Sequence, residues 1–398
     1  MKYIAIILVS LLSLVGVTVQ GTEAKTISLL TCEPSNDQVY TAWGHTAVRV
    51  QDPTNGIDMV FNYGIFSFDD IGKFIYKFVK GETDYMLGVS TFQRSKRDAI
   101  KKNAKLYEQT LNLTEEEKDK ICDALFENAK PENRYYRYNF FYDNCATRPR
   151  IIIENAINGE VTYPETQNER TYRDIIHELL SEMRWYTLGI DICLGSPTDE
   201  VVKGKEIQFL PVEMMKCFAK AQKADGTPIV KETHILYTPV SRTEEKDLPS
   251  RISPTFACWT FLLLIIAHTL FYTYIRKNDK WFDAFLFGVA GLVGLGVFAL
   301  SFFSVHPCVF PNFNLLWVNP LQLIFALSLV TKKGSEWKRK YQILNFVLIM
   351  TVILLGWTIL PQRFNINALP LMLSLAIRAL HWFKPNLFEL AQKKAKQI

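Results

Sequence analysis

Trp43-Gly44-His45-Thr46-Ala47-Val48-Arg49-Val50, then Asp52-Pro53-Thr54-Asn55-Gly56, then Met59-Val60-Phe61-Asn62-Tyr63-Gly64-Ile65-Phe66, decide the architecture of the N-terminal half. Residues 46–50 and 59–66 are rich in β-branched and aromatic side chains, and the Asp-Pro-Thr-Asn-Gly between them supplies turn chemistry, so the segment predicts a β-hairpin. Val48 and Val50 alternate onto a core face, and His45 stands at the head of the strand. If the hairpin closes around Asn55-Gly56 so that Ala47 pairs with Asn62, then Asn62 shares a face with His45. A slip of one residue would put a residue of the other face there. A further strand is expected over 26–31. Helices are expected over 95–110, 115–127 and 170–183, the second opened by Thr114 as a capping box. The half is therefore a mixed α+β domain.

A second segment carries chemistry: Tyr142-Asp143-Asn144-Cys145-Ala146-Thr147-Arg148. Asp143 or Asn144 is a candidate helix N-cap, which would place Cys145 in the first helical turn. There the helix dipole favours a thiolate, and backbone N–H groups can hold a developing oxyanion. Pro149 is expected to bend a helix that runs through it. A thiol nucleophile needs a base and the base needs an orienter, so Cys145, His45 and Asn62 form a candidate Cys-His-Asn arrangement. Tyr63 and an acidic residue from elsewhere compete for the third place. Taken singly, a histidine at a strand end is usually a satisfied surface or core residue, and a cysteine after asparagine is usually just buried. Arg148 and Arg150 would meet either a phosphate or solvent, Asp191 and Asp199 read as turn residues, and His177 reads as a surface residue. The exported half holds five cysteines, without Cys-x-x-Cys or any metal-ligand spacing, so neither metal nor cofactor is implied.

The 48% of hydrophobic residues is unevenly spread, and this divides the chain. Residues 1–24 have the cation, apolar run and small residues of an export signal, cleaved or retained. Charged residues crowd the stretch 25–240, which reads as the exported catalytic domain, and 241–253 reads as a juxtamembrane linker. Over 254–384 five apolar runs follow, at 256–275, 282–303, 315–330, 343–360 and 366–383, each near the roughly 20 residues needed to cross a hydrocarbon core about 30 Å thick. Gly288, Gly291 and Gly294 recur at helical spacing in the second run, as close helix packing requires. Lys and Arg crowd the loops after the first, third and fifth runs, whereas the other two loops hold only Arg363. The positive-inside rule then puts the basic loops and the tail 385–398 in the cytoplasm and the N-terminal domain outside. That distribution also accounts for the net charge of +5, so it is no nucleic-acid footprint. His306, Asn312, Asn314 and Asn319 fall in or beside a loop on the same side as Cys145. They would cap helix ends, contact a headgroup or substrate, or form a surface on which the soluble domain docks. His268 and His381, in or near spans, are expected to face other helices.

The two motif segments together resemble a known group. Gly44–Val50 followed by Asn144-Cys145 is similar to the His-first, Cys-later order of circularly permuted papain-like (NlpC/P60) domains, shared by lecithin:retinol acyltransferase-like enzymes. With Phe61-Asn62-Tyr63-Gly64, residues 81–85, 142–150 and 188–195, and with His306-Pro307, Asn312, Asn314–Trp317 and Asn319-Pro320, nearly the whole chain resembles the Lnb family. That resemblance implies a permuted papain-like exported domain followed by an all-α domain of five transmembrane helices, in the bacterial inner membrane with a cytoplasmic C-terminus. It also implies lipoprotein N-acyltransfer. Cys145, with His45 as base, would take a fatty acyl group from a membrane phospholipid as a thioester and pass it to the α-amine of a diacylated lipoprotein. Asp143, Asn144, Arg148, Tyr63, His306, Asn312, Asn314 and Asn319 are the residues expected to shape that site or bind substrate. Two alternatives stand beside it: a periplasmic cysteine hydrolase acting on lipid esters or cell-wall amides, and a non-enzymatic membrane sensor or assembly factor.

Overall fold

In the computed structural model the described residues are 24–35, 39–66, 71–165, 169–240, 252–275, 279–330 and 335–384. The signal segment up to residue 23, most of the linker (241–251) and the tail 385–398 lie outside them. Strands β1 (Thr26–Cys32), β2 (His45–Asp52) and β3 (Ile57–Ile65) run consecutively and antiparallel. The β2–β3 loop tightens because the Asp52 carboxylate accepts the Asn55 N–H at 3.2 Å and Gly56 takes a positive φ of 66°. Val48 lies opposite Phe61, which continues to Ala47 opposite Asn62, the register that joins His45 and Asn62 on one face.

Helices α1 (Ile71–Lys80) and α2 (Phe92–Lys101) flank β4 (Asp84–Thr91), and β5 (Leu106–Leu111) follows. The helix expected over 95–110 is thus a helix and then a strand. The chain turns at Asn103, which adopts φ +49°, and β5 enters the sheet beside β1. Polar Glu108 disguised that strand; it is buried because it accepts Arg49 Nη1 at 2.9 Å. With β6 (Tyr135–Arg137) and β7 (Val230–Tyr237), the sheet reads β6-β4-β3-β2-β1-β5-β7, every neighbour antiparallel.

Helices α3 (Glu115–Ala129) and α4 (Thr147–Ala156) cover one sheet face around Ile27, Val48, Phe61, Ile121 and Ile153, and α2 covers the other around Ala47, Val60 and Phe92. Thr114 opens α3 with the expected reciprocal box, its hydroxyl taking the Glu117 N–H. Pro149 produces no bend, because it falls in the first turn of α4, where its missing N–H costs nothing. Helices α5 (Tyr172–Leu179), α6 (Arg184–Cys193) and α7 (Pro211–Phe218) complete this half.

The C-terminal half is helical: α8 (Pro254–Tyr274), α9 (Lys280–Phe303), α10 (Leu321–Ser328), α11 (Ser335–Leu355) and α12 (Ala368–Phe383). Among the described residues, α8 and α9 are long and apolar enough to cross a membrane. The expected third span is broken. A 3-10 turn (Phe313–Leu316) precedes Asn319-Pro320, and α10 has only 8 residues, about 12 Å of rise. Gly294 makes room for the break, since a Cβ there would lie 2.5 Å from the Asn319 nitrogen, and Gly291 does the same for Leu323. The glycine stripe is a close-packing surface.

Candidate active site

His45 opens β2, and its Nε2 lies 3.3 Å from Asn62 Oδ1. The Asn62 amide nitrogen donates to the Val60 carbonyl and to Ser90 Oγ, each at 3.3 Å, and Ser90 meets Ser95 at 2.9 Å. With the amide nitrogen so occupied, Oδ1 must accept, so Nε2 carries the imidazole proton and Nδ1 is left with the lone pair of a base. Tyr63, the competing partner, points to the opposite face. It is buried, and its hydroxyl accepts Asn128 Nδ2 at 2.8 Å. Burial and the Lys102 cation lower His45 to about 4, with the Asn62 bond opposing them. The imidazole is therefore neutral at neutral pH.

Cys145 does not lie within the helix as expected; α4 begins at Thr147. The thiol instead occupies the capping turn ahead of it. Asn144 Oδ1 takes the N–H groups of Ala146 at 2.8 Å and Thr147 at 3.0 Å, while its amide nitrogen donates to the carbonyls of Phe140 and Phe209. Asn144 is thus a buried clamp that fixes the Cys145 backbone. Asp143 and Arg148 are engaged with each other, Arg148 donating through Nε at 2.5 Å and Nη2 at 2.7 Å, with its guanidinium 3.7 Å over the Tyr136 ring.

The half-buried thiol comes to the sheet where β2 begins. The backbone N–H groups of Thr46 and of Cys145 itself face the sulfur, and burial pushes the thiol up to about 11 against their effect. Thiol and imidazole are both neutral at rest. His45 is hydrogen-bonded to Asn62 and not to Cys145 among the described residues. A Cβ placed on Gly64, whose φ is +92°, would lie 3.7 Å from Cys145 Cβ, 3.3 Å from the Tyr138 ring and 3.9 Å from the Tyr136 hydroxyl. Glycine thereby leaves a small space that the thiol, the ring and the hydroxyl all border. The Tyr136 hydroxyl is buried without a hydrogen-bond partner. Sequence reasoning missed Tyr136, in β6, and Tyr138, just beyond its end, although their spacing of two residues in an extended stretch puts both on one side.

The polar loop residues of the membrane half serve a different end. Asn312 Nδ2 donates to the carbonyls of Ile192 and Cys193, both at 3.0 Å, and Asn314 Nδ2 to that of Asp191 at 2.9 Å. They satisfy the C-terminal carbonyls of α6 and are buried in doing so. Asn319 lies inside the bundle, accepting Tyr341 Oη at 3.3 Å. His306 donates from Nε2 to the Phe78 carbonyl at 2.6 Å. Asn312 and Asn314 thus cap a helix end across the junction of the two halves, and His306 bonds α1 across it, whereas Asn319 does neither. The junction is completed by Arg173, 1% exposed, which donates to Asp191 at 2.6 Å and Asp199 at 2.8 Å. His177 and Asn365 also bond Asp191, and Arg363 bonds Asp199 and Asp174. Asp191, which lies in α6 rather than in a turn, and Asp199, at the end of the 3-10 turn Ser196–Asp199, thus belong to a buried ionic cluster, and His177 borders it from the surface with 40% of its side chain exposed.

A family model described as the Lnb N-terminal periplasmic domain matches residues 19–181, and one described as the Lnb transmembrane domain matches residues 243–386. The chain belongs to the Lnb family. No curated protein and no solved structure gives a significant match. This Lnb-family chain is thus a membrane protein with a periplasmic N-terminal domain, and its membership suggests a role in lipoprotein processing. The buried junction bears on that role, since it fixes the thiol domain against the bundle instead of leaving it on a tether.

Proposed function

We propose that this protein is a lipoprotein N-acyltransferase that works through a Cys145 thioester within a permuted papain-like domain. The observation that carries the reading is the juxtaposition, on one sheet end, of a half-buried thiol and an imidazole whose Nε2 is held by Asn62. In the first half-reaction Cys145 Sγ attacks the ester carbonyl of a phospholipid as its proton passes to His45 Nδ1. The carbonyl electron pair moves onto oxygen, where the N–H groups of Thr46 and Cys145 and the Tyr136 hydroxyl are the available donors. As the pair returns, the lysophospholipid alkoxide leaves with the proton from His45. The α-amine of the diacylglyceryl-cysteine then attacks the thioester, and its proton returns through His45 to the thiolate. Because both groups are neutral at rest, proton transfer accompanies attack.

The test is to incubate purified protein in phospholipid vesicles with a diacylated lipopeptide and weigh the products. Triacylated lipopeptide, with a hydroxylamine-sensitive acyl adduct on Cys145, supports the reading. Free fatty acid without lipopeptide acylation points to the hydrolase instead. Unchanged lipoprotein acylation in cells carrying Cys145→Ser and His45→Ala would sink the acyltransferase reading.

A further inference from the structure

Helix α1 is attached directly to the end of a membrane-crossing helix. The Val305 N–H donates to the Lys80 carbonyl at 2.9 Å, and His306 Nε2 donates to the Phe78 carbonyl at 2.6 Å. Gly81 packs so tightly beneath them that a Cβ would lie 2.9 Å from the His306 nitrogen. The 24 residues of α9 rise about 36 Å, enough to cross a hydrocarbon core of about 30 Å. The end of α9 at Phe303 therefore lies at the bilayer surface, and α1, bonded two residues further on, is held at the same level. Tyr76 is 63% exposed there and Phe78 48% exposed. Phe302, Phe303, Val305 and Phe310 continue the bare apolar face onto the span. Aromatic rings gathered at this depth match a membrane interface rather than water.

We propose that α1 is an interfacial helix, with Tyr76 and Phe78 set among the acyl chains of the periplasmic leaflet, and that the donor phospholipid reaches the thiol along this face. The proposal rests on the acyl-transfer reading above. From α1 the chain passes through Gly81 into β4, where Tyr85 lies 5.1 Å from Phe66 and stacks on Tyr138 at 4.2 Å. Tyr138 borders the Gly64 space at Cys145, so aromatic side chains line the way from the bilayer to the sulfur. Lys77 and Lys80 are paired with Asp84 at 2.7 Å and Glu82 at 2.9 Å. Their charge is locally balanced, and apolar burial rather than attraction to anionic headgroups seats the helix.

The experiment replaces Tyr76 with p-benzoylphenylalanine in the full chain. The protein is reconstituted in vesicles of phosphatidylcholine, with or without phosphatidylglycerol, irradiated and weighed. A phospholipid adduct in both vesicle types is expected. No adduct, an adduct to protein, or one that requires the anionic lipid overturns the proposal. In parallel, Tyr76→Asp combined with Phe78→Glu should slow thioester formation from vesicles by about tenfold or more, with the rate of Cys145 alkylation unchanged. Equal losses in both rates would mean that the helix acts on the fold, and would also overturn it. Failure of the acyl-transfer reading shows separately, as lipopeptide acylation that survives Cys145→Ser while the lipid adduct at position 76 persists.

Discussion

Asn62→Ala isolates the orienting bond on which the mechanism depends. At rest that bond joins two neutral groups at 3.3 Å, and such a bond contributes roughly 0.5–1.5 kcal/mol. When His45 takes the thiol proton the donor becomes cationic, and a charge-assisted bond is about twice as strong. The increment lost in the transition state is therefore ~0.5–1.5 kcal/mol, or roughly two- to tenfold in kcat, with little change in KM. The assay is single-turnover formation of the Cys145 thioester by purified protein in phospholipid vesicles. Asn62→Asp supplies the complement. A carboxylate beside the ring favours imidazolium, so the acidic limb of the rate profile, set by His45 at about 4 in the native protein, moves to higher pH. An Asn62→Ala variant within twofold of the native kcat, or an Asn62→Asp variant with an unmoved acidic limb, would refute the assignment.

Three further outcomes follow from the same geometry. Cys145 is held up at about 11 by burial, so its alkylation by iodoacetamide should climb about tenfold per pH unit from neutrality towards pH 10; a flat profile across neutral pH would indicate a resting thiolate–imidazolium pair instead. Tyr136→Phe removes a buried hydroxyl that has no partner in the resting protein, so the melting temperature should hold or rise while kcat falls about 10²-fold, the usual loss for one oxyanion donor. Arg173→Ala strands the buried Asp191 and Asp199 carboxylates at a cost of about 3–5 kcal/mol, which should appear as a lowered melting temperature and as rapid proteolytic separation of the two halves. Arg173→Ala with native melting and native protease resistance would show that the cluster does not hold the junction.

The hairpin was legible because its period-2 apolar pattern and the Asn-Gly turn fix a register, and the register fixes which face Asn62 takes. The capping box at Thr114 was legible for the same reason: local hydrogen bonding decides it. What stayed hidden was decided by tertiary pairing. Glu108 looks like a helix-surface residue until Arg49 neutralises it inside the sheet. Arg173 looks like a solvated cation of an amphipathic helix until α6 brings Asp191 and the 3-10 turn Ser196–Asp199 brings Asp199 to it. Asn312 and Asn314 sit in a loop near lipid and resemble ligand-binding residues, yet their partners are helix carbonyls more than 100 residues away in sequence. The third apolar run has the composition of a span, but Pro320 removes a backbone donor and the helix that follows is short. In the site itself His45, Asn62 and Cys145 were readable as residue types, whereas the Gly64 space and the unpartnered Tyr136 hydroxyl exist only once β3, β6 and the capping turn converge.

The measurement that bears most directly on the central claim is the mass of a lipoprotein N-terminus from cells that lack an N-acyltransferase and express this protein. The account predicts that the native chain adds one fatty acyl group, located on the α-amine by fragmentation, and that Cys145→Ser at equal protein level adds none. A diacylated N-terminus in both, or a triacylated one in both, would contradict it.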